Sequence, residues 1–454
     1  MFPEPNVEVG VARSLVLTLA VLGLAGPLVA QRRGAPDDLA KEIEARLPQV
    51  MPKVIAWRRD IHQHPELSNR EVRTAKLVAD HLRSLGIEVR TGVAHTGVVG
   101  VLRGGKPGPV VALRADMDGL PVTEQVALPF KSTARTEYNG QQVGVMHACG
   151  HDNHVAILMG VAEVLAGMKA TLPGTVKFIF QPAEEGPPEG EDGGAPMMVK
   201  EGVLDNPRPS AIFGLHVWPG PLGSLLYRPG GIMATADGLT IVVKGRQTHG
   251  AVPWGGVDPI VVASQIVLGL QTITSRQIDV TAAPAIVTIG SFQGGVRGNI
   301  IPDSVVMVGT IRTFDGAQQK DVHDRIRRTV TNIAAASGAT ATVSIPGGGM
   351  LTYNDPALTE HMVPTLKRTA GDGGLQITVP ITGSEDFPAF TQSIPGLFFF
   401  LGVLPKGQDP ATAPRNHSPY FFADEAALPT GVRAMANLAV DYLRAPLGGK
   451  TADR

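Results

Sequence analysis

Short apolar stretches of β-type composition recur along this chain, and three of them lead into acidic or histidine side chains. The stretches are residues 110–113, 175–180 and 211–215, and the side chains that follow are Asp116, Asp118, Glu184, Glu185 and His216. Stretches with helical periodicity alternate with the strands, which predicts an α/β fold with a mixed, mostly parallel sheet and helices on both faces. Because the carboxyl ends of parallel strands meet at one edge of a sheet, these side chains are expected at one rim.

The segment from His147 to His154 holds the only cysteine of the protein and three of its twelve histidines. Thiolate and imidazole are ligands of zinc-like metals, so the segment is a candidate metal site. Apolar residues with helical spacing follow at 155–165, which places the cluster at a helix N-terminus, where the thiolate form of Cys149 is favoured. The alternative from spacing alone is a buried, inert cysteine among surface histidines.

The first residues differ from the rest of the chain. Residues 14–30 are almost wholly apolar and end in small side chains, which is the pattern of a secretory signal peptide over residues 1–30. Export to the periplasm or the medium is therefore expected, with no stable membrane span after signal removal; an uncleaved anchor is the alternative. In an oxidising compartment Cys149 has no partner for a disulfide, which strengthens the metal interpretation.

Length and charge narrow the class further. At 454 residues the chain exceeds one ordinary domain, and a formal net charge of −1 offers no basic excess for nucleic acid. Near residue 234 the pattern changes to a βαββαβ order, which indicates a smaller domain inserted into the first. The predicted boundaries are 37–233 and 347–445 for the first domain and 234–346 for the insertion. Upstream, Ser68 to Glu71 resembles a capping box that opens a helix over 72–85.

Two divalent ions need about eight ligand positions, some of which water or a bridging side chain fills. Side chains of suitable type, one of them bridging, are Cys149, His151, Glu185, His216 and His417. Glu184 is then left beside a ligand, where a carboxylate takes the proton of a metal-acidified water. A closed structural zinc site, the alternative, would need four ligands and no extra acid. The mixed donors suit zinc, manganese, cobalt or nickel.

Nine short motifs stand in order along the chain: RRDIHQHPELS, RADMDGLP, HACGHDNH, QPAEEG, GLHV, QTHGAVP, GNIIPD, GSEDF and NHSPY. Together they resemble the M20 metallopeptidase and amidohydrolase family, in the aminoacylase-like branch that includes hippurate hydrolases and auxin–amino-acid conjugate hydrolases. The resemblance covers residues 37–443 and is specific through the combination of motifs. It implies a catalytic domain split by a lid domain, residues 234–346, through which two subunits form a homodimer.

The resemblance also implies roles for particular residues. The five metal-type side chains would be the ligands of a two-metal site, Glu184 its general base, and Asp118, with Asp116 less certain, a carboxylate that orients a metal ligand. His249 in the lid would stabilise the oxyanion, often across a dimer; a turn histidine is the alternative. Asn299 and Arg312 would hold the substrate carboxylate, although Arg312 is equally well explained as a solvated charge at a strand end.

These observations predict a metal-dependent amidohydrolase with two divalent metal ions per subunit. Its substrate would be a small-molecule N-acyl amino acid with an aromatic or aliphatic acyl group. The nearest alternative is a dipeptidase or carboxypeptidase of the same family, which holds the amino side of its substrate differently. A catalytically dead binding protein is a distant alternative, because it would lack metal ligands. The polar loop 187–194, beside the predicted site, is expected to shape specificity.

Overall fold

The computed structural model describes residues 38–346 and 349–448. Its strands form one large sheet of eight strands and several smaller sheets. The strands are β1 (Glu88–Val93), β2 (Gly97–Arg103), β3 (Lys106–Asp116), β4 (Arg135–Tyr138), β5 (Gln141–Gly144), β6 (Pro173–Gln181), β7 (Ala211–Pro221), β8 (Leu225–Tyr227), β9 (Gly230–Met233), β10 (Asp237–Lys244), β11 (Thr248–His249), β12 (Ala285–Gln293), β13 (Ile300–Ile301), β14 (Ser304–Thr313), β15 (Thr340–Ser344), β16 (Thr352–Asn354), β17 (Leu375–Ile377) and β18 (Gly396–Leu404).

Helices pack on the large sheet and on a smaller second sheet. They are α1 (Asp38–Gln63), α2 (Val72–Ser84), α3 (His151–Gly167), α4 (Gly194–Lys200), α5 (Pro259–Thr272), α6 (Gly316–Ala336), α7 (Pro356–Ala370), α8 (Pro388–Thr391) and α9 (Leu428–Arg444). Turns of 3₁₀ helix cover Pro253–Gly255 and Glu425–Ala427, and a π-helical turn extends α5 over Ile273–Gln277.

The large sheet is mixed and mostly parallel, as predicted. Its strand order is β1-β2-β6-β3-β7-β18-β8-β17. The central strands β6, β3, β7 and β18 are parallel to one another, and so are β8 and β17. Antiparallel pairing joins β1 to β2, β2 to β6, and β8 to β18. The carboxyl ends of the central strands therefore lie at one edge, where β3 ends in Asp116.

Side chains of the central strands alternate between two cores. Leu113 and Phe399 pack in a core shared with α1, α2, α3, α7 and α9. Their neighbours Ala112 and Phe398 pack in a second core shared with α4 and α8. Strands buried on both sides in this way consist of continuous apolar residues, as Gly396–Leu404 does. The predicted helices on both faces are confirmed.

A second, antiparallel sheet has the order β12-β14-β10-β15. Helices α5 and α6 share with it a separate core that includes Ile241, Met307 and Ile326. Among the longer elements of this region, the succession β10-α5-β12-β14-α6-β15 has the predicted βαββαβ order. The domain boundaries stay a prediction, and the described residues from Leu39 onward belong to one compact unit.

The predicted capping box before α2 is wrong. Neither Ser68 nor Glu71 caps the helix with its side chain: Ser68 Oγ donates to Asp118 Oδ2 at 2.8 Å, and Glu71 Oε1 accepts from the N–H of Ala183. The carboxylate of Glu66 takes the capping role and accepts from two N–H groups at the start of α2, each at 2.9 Å. The segment before α2 turns toward Asp118, so a residue further upstream reaches the helix end.

Strand β7 is longer than predicted. The apolar stretch 211–215 continues as regular strand to Pro221, so His216 lies within β7 and not beyond its end. The parallel partner β18 accounts for the difference, because it pairs with β7 on both sides of His216, from Ile212 to Pro221.

Among the described residues, no helix combines the length and the apolar character needed to cross a membrane. The predicted signal peptide, residues 1–30, lies outside the described residues. Its cleavage and the export of the protein therefore stay predictions.

The cap of α2 is open to a direct test. Glu66→Ala removes the acceptor for two N–H groups and is expected to lower the free energy of unfolding by about 1 kcal/mol. Urea unfolding followed by circular dichroism measures the change. Glu360→Ala, at an exposed position of α7, is the matched control, and an equal shift in both variants would contradict the capping role.

Candidate active site

Several segments meet at the carboxyl edge of the central strands. Glu184 and Glu185, which we call the acid pair, follow β6. His216 lies in β7, and α3 starts immediately after Cys149 and Gly150. They border a cavity of about 390 Å³, which we name the central cavity. Its lining includes Cys149, Glu184, Glu185, His216, Arg312, Glu385, Arg415 and His417.

Gly150 allows the chain to turn into α3 against β7. Its φ is +95°, and a Cβ at this position would lie 2.4 Å from Val217 Cγ2, so no other residue fits without movement. The turn brings Cys149 Sγ to 3.3 Å from His216 Nε2. A glycine between two metal-type side chains thus has a geometric reason in the close packing of α3 and β7.

The ligand-type side chains fall into overlapping groups. In one group, Cys149, Glu185 and His417 place their ligand atoms within 4.8 Å of one another, and in another His151, Glu184 and Glu185 do the same. Glu185 Oε1 is 3.0 Å from His417 Nε2 and 4.0 Å from His151 Nε2. Because Glu185 belongs to both groups, it occupies the position of a bridging side chain.

Hydrogen bonds to backbone carbonyls orient two of the histidines. His151 Nδ1 is 2.8 Å from the carbonyl oxygen of Asp118, and His216 Nδ1 is 2.7 Å from that of Val217. A carbonyl oxygen only accepts, so both Nδ1 atoms carry a proton, and in the neutral form of either ring the lone pair is on Nε2. His151 Nε2 is buried without a hydrogen-bond partner among the described residues, which is the state of a nitrogen prepared for a metal.

Asp118 connects the acid pair to the histidine. Its carboxylate accepts from the backbone N–H groups of Glu184 and Glu185, at 3.1 and 3.0 Å, and from Ser68 Oγ. Its own carbonyl holds His151. Asp118 thus contacts the backbone of both glutamates as well as His151, and its role in orienting a metal ligand stays a prediction.

Asp116 lies deeper, in a buried network that the sequence analysis did not assign. One of its oxygens bonds His154 Nδ1, and the other accepts from Arg114 at 2.6 Å. Arg114 also pairs with Glu385 at 2.6 Å and with Asp386 at 3.2 Å. The signal for Arg114 was present: it is a charged residue in an apolar strand, two positions before Asp116 and hence on the same face.

Burial and neighbouring carboxylates govern protonation here. Burial, followed by the charges of Glu185 and Glu184, raises the pKa of the Cys149 thiol well above its usual value. In the protein side chains by themselves, burial and these two acids therefore outweigh the effect of the helix N-terminus, which was predicted to favour the thiolate. Burial, followed by the charge of Glu385, likewise raises the pKa of Glu184 well above its usual value.

For His151, in contrast to Cys149 and Glu184, the charged form is the favoured one. Burial alone would lower its pKa, but the charges of Asp116 and Asp118 outweigh burial and raise the pKa to about 10. The surroundings of Nε2 thus favour a positive charge. Cations would also convert Cys149 to its thiolate, since coordination deprotonates a thiol. The donor set and its excess of acids therefore fit divalent metal ions.

The structure does not bring every predicted site residue together. Arg312 lines the central cavity, with Nη1 bonded to Thr310 Oγ1 and to the carbonyl of Ile311. His249 and Asn299 are exposed and do not line it. They lie beside each other, because β11 pairs with β13 and the N–H of Gly250 donates to the carbonyl of Asn299 at 2.8 Å.

A family model described as Peptidase family M20/M25/M40 matches residues 112–441. The chain belongs to this family. Thermostable carboxypeptidase 1 of Saccharolobus solfataricus is 41% identical over 89% of this chain and 99% of the relative. IAA-amino acid hydrolase ILR1-like 2 of Arabidopsis thaliana is 38% identical over 88% of this chain and 87% of its own.

Solved structures agree with the sequence relatives. The crystal structure of the Bacillus subtilis YXEP protein, described as a dinuclear metal binding peptidase from the M20 family, has a TM-score of 0.73 and 36% identity. The match covers 87% of this chain and 99% of the Bacillus subtilis chain. Family and relatives confirm the predicted resemblance, and they confirm the prediction of an enzyme, a metal-dependent hydrolase.

Asp118 gives a test of the orienting network in this M20 enzyme. Asp118→Asn replaces one acceptor oxygen by an NH₂ group that faces backbone N–H donors, so the acid pair and His151 lose their alignment. Metal affinity is expected to fall roughly 10- to 100-fold, as for other residues that support metal ligands. Titration against a competing chelator measures it, with Asp372→Asn at an exposed loop position as control; unchanged affinity would contradict the role.

Proposed function

We propose that this M20 enzyme hydrolyses the amide bond of N-acyl amino acids. The composition of the central cavity carries the proposal, because metal-type side chains, the carboxylate of Glu184 and the guanidinium of Arg312 border one space. An amide that has a carboxylate nearby matches this set, since guanidinium pairs bidentately with carboxylate.

The metal ions belong to the same proposal. Cys149, His151, Glu185, His216 and His417 would hold two divalent ions, with Glu185 shared between them. Bound there, the ions would polarise the amide carbonyl and lower the pKa of a water molecule. Zinc, manganese, cobalt and nickel all suit these donors.

Glu184 acts as the general base in this scheme. Its Oε2 is 3.7 Å from His151 Nε2, and its carboxylate accepts no hydrogen bond from the described residues. The backbone bond to Asp118 fixes the residue while its side chain stays available. Glu184 takes a proton from the attacking water and passes it to the leaving nitrogen, so that the C–N bond breaks to a carboxylate and an amine.

The names of the relatives support a substrate with a free carboxylate. One relative is named as a hydrolase of IAA–amino acids and another as a carboxypeptidase. Either activity releases an amino acid whose carboxylate was free in the substrate. In this chain the guanidinium of Arg312 lines the same cavity as Glu184 and Glu185, which supports a role in receiving that group.

Hydrolysis of a panel of N-acyl amino acids by purified protein tests the proposal. Chelation is expected to abolish activity, and one of the four divalent ions is expected to restore it, with about two ions per chain by elemental analysis. Two bound ions without hydrolysis of any N-acyl amino acid would contradict the proposed substrate class.

The same assay tests the base. Glu184→Gln keeps the size of the side chain and removes its capacity to take a proton, so turnover should fall by roughly 10²- to 10⁴-fold while metal content is retained. Glu189→Gln, at an exposed position of the neighbouring loop, is the control. Near-normal turnover in Glu184→Gln would exclude the mechanism.

A carboxypeptidase is the second candidate, since the relative with that name is 41% identical. It would share the metal site and the carboxylate pocket and differ in accepting a peptide in place of an acyl group. Parallel assays on N-acyl amino acids, blocked peptides and free-amine dipeptides with the same C-terminal residue separate the candidates by their kcat/KM values.

We further propose that a second subunit completes the site. His249 and Asn299 stand away from the central cavity of their own chain, although the family resemblance implies roles for both. The inserted region also exposes apolar side chains, with Trp254 81%, Leu268 71% and Val261 53% exposed, and its β12 is an edge strand. Surfaces and edges of this kind are typical of a subunit interface.

Mixing two inactive variants tests this arrangement. If each site uses its own Glu184 and the partner subunit's histidine, co-expression of Glu184→Gln with His249→Ala creates one intact site per heterodimer, and activity returns. If His249 acts within its own chain, both sites of the heterodimer stay defective. Light scattering establishes the oligomeric state of each preparation, and a monomer would exclude the proposal.

A further inference from the structure

A second cavity borders Glu185 and takes no part in the scheme above. It encloses about 420 Å³, and strand β4 of the β4–β5 hairpin forms part of its wall. We name it the hairpin cavity. Glu185 lines both this cavity and the central cavity. The side chain expected to bridge the metals therefore borders two cavities of substrate size.

The wall of the hairpin cavity is tied to the catalytic segments. Leu120 pairs with Met146, one residue before His147, through hydrogen bonds of 2.9 and 3.0 Å. The N–H of Gly119 donates to the carbonyl of Glu66 at 2.7 Å. Since Gly119 and Leu120 directly follow Asp118, this wall is as firmly placed as the orienting carboxylate itself.

The loop after the acid pair forms another part of the wall, through Gly186 and Pro188. Side chains from the segment before α2 hold this loop in place. Asn69 Nδ2 donates to Glu191 Oε2 at 3.0 Å and to the carbonyl of Asp192 at 3.1 Å, and Arg70 pairs with Glu191 at 2.5 Å. The cavity is therefore enclosed by anchored segments.

Most charges at the hairpin cavity have partners. The carboxylate of Glu66 caps α2, and Arg70 is paired with Glu191. Arg135 of β4 is the lining cation without an ion pair among the described residues, and Glu137 lies two positions further along the same strand. Much of the remaining lining is apolar: Pro65, Leu67, Leu120, Pro121, Tyr138 and Val145. A lining of this composition binds apolar groups.

The central cavity differs in charge. Beside Arg312 it contains Arg415, whose guanidinium makes no hydrogen bond or ion pair with the described residues. Arg312 itself bonds only uncharged groups, Thr310 and the carbonyl of Ile311. Two guanidinium groups without carboxylate partners line the central cavity, against one, Arg135, at the hairpin cavity, which favours the central cavity for a substrate carboxylate.

We infer that the hairpin cavity is the acyl subsite of the enzyme and takes an apolar acyl group of extended aliphatic or aryl type. The amino acid and its carboxylate then occupy the central cavity, and the scissile amide lies at Glu185. Leu120 and Tyr138 limit the acyl group that fits. This inference rests on the proposed function and deepens it.

Chain-length profiles test the inference. The acyl series is N-acetyl-, N-hexanoyl- and N-octanoyl-alanine, and the amino acid series is the N-acetyl derivatives of alanine, leucine and phenylalanine. In the unaltered enzyme kcat/KM is expected to rise along the acyl series. Leu120→Trp narrows the cavity and should lower the octanoyl-to-acetyl ratio of kcat/KM at least about tenfold, because each methylene kept from apolar burial loses about fourfold.

Tyr138→Ala provides a second variant at an exposed side chain, where folding is not at risk, and should lower the same ratio by roughly three- to tenfold. Tyr353→Ala, another partly exposed tyrosine (47% against 37% for Tyr138) outside both cavities, is the matched control and should leave the ratio as it was.

The outcomes separate the hypotheses. A change in the amino acid series with an unaltered acyl profile would assign the hairpin cavity to the leaving group and overturn the inference. Equal profiles in all variants would exclude the cavity from substrate binding. If the unaltered, metal-loaded enzyme hydrolysed no N-acyl amino acid, the proposed function itself would fail, and this is visible before any variant is compared.

Discussion

A buried carboxylate, that of Asp118, is the group on which the site depends. An ionised carboxylate in a protein interior is strongly unfavourable unless hydrogen bonds satisfy its oxygens. Here Ser68 and the two backbone N–H groups of the acid pair do so, while the carbonyl of the same residue holds His151. One residue therefore fixes Glu184, Glu185 and His151 relative to one another.

The buried charges next to the site explain why the site favours the binding of cations. The single guanidinium of Arg114 pairs with three carboxylates, those of Asp116, Glu385 and Asp386. Burial alone would raise the pKa of Asp116, but Arg114 and the neighbouring histidines outweigh burial and hold that pKa well below its usual value. Arg114 is thereby fully engaged by these three carboxylates, and the imidazoles of His151 and His417 are the basic groups that lie close to Glu184 and Glu185 among the described residues. Divalent ions would balance the remaining negative charge.

Much of this arrangement was predictable, because strand periodicity and the residues after each strand carry direct information about position. The acid pair followed from the parallel-sheet rule, and His417, which comes from a loop, was placed only through its motif. Local pattern failed at Ser68 and Glu71, where tertiary hydrogen bonds to Asp118 and to the N–H of Ala183 replaced a helix cap. It also did not account for the thiol of Cys149, whose pKa depends on burial and on acids that are distant in sequence.

Other features were beyond the reach of the sequence. Periodicity describes helices and strands, so it is silent about a cavity walled by a hairpin and two loops. Arg415 lies in such a loop, two residues before His417, and no repeating pattern distinguishes it from a solvated charge. The positions of His249 and Asn299 relative to the cavity depend on the insertion and on its assembly, which a linear pattern does not encode.

The attachment of the loop 187–194 has a consequence for how enzymes of this type diversify. One wall of the hairpin cavity is joined through backbone hydrogen bonds to residues adjoining Asp118, and change there disturbs the chemistry. The loop, in contrast, is held largely by the side chains of Asn69, Arg70 and His95. We therefore expect the loop to tolerate changes in length and sequence, provided that an acidic residue remains to pair with Arg70. With the hairpin cavity as the acyl subsite, the range of substrates would then change without any change in the residues proposed to cleave the amide.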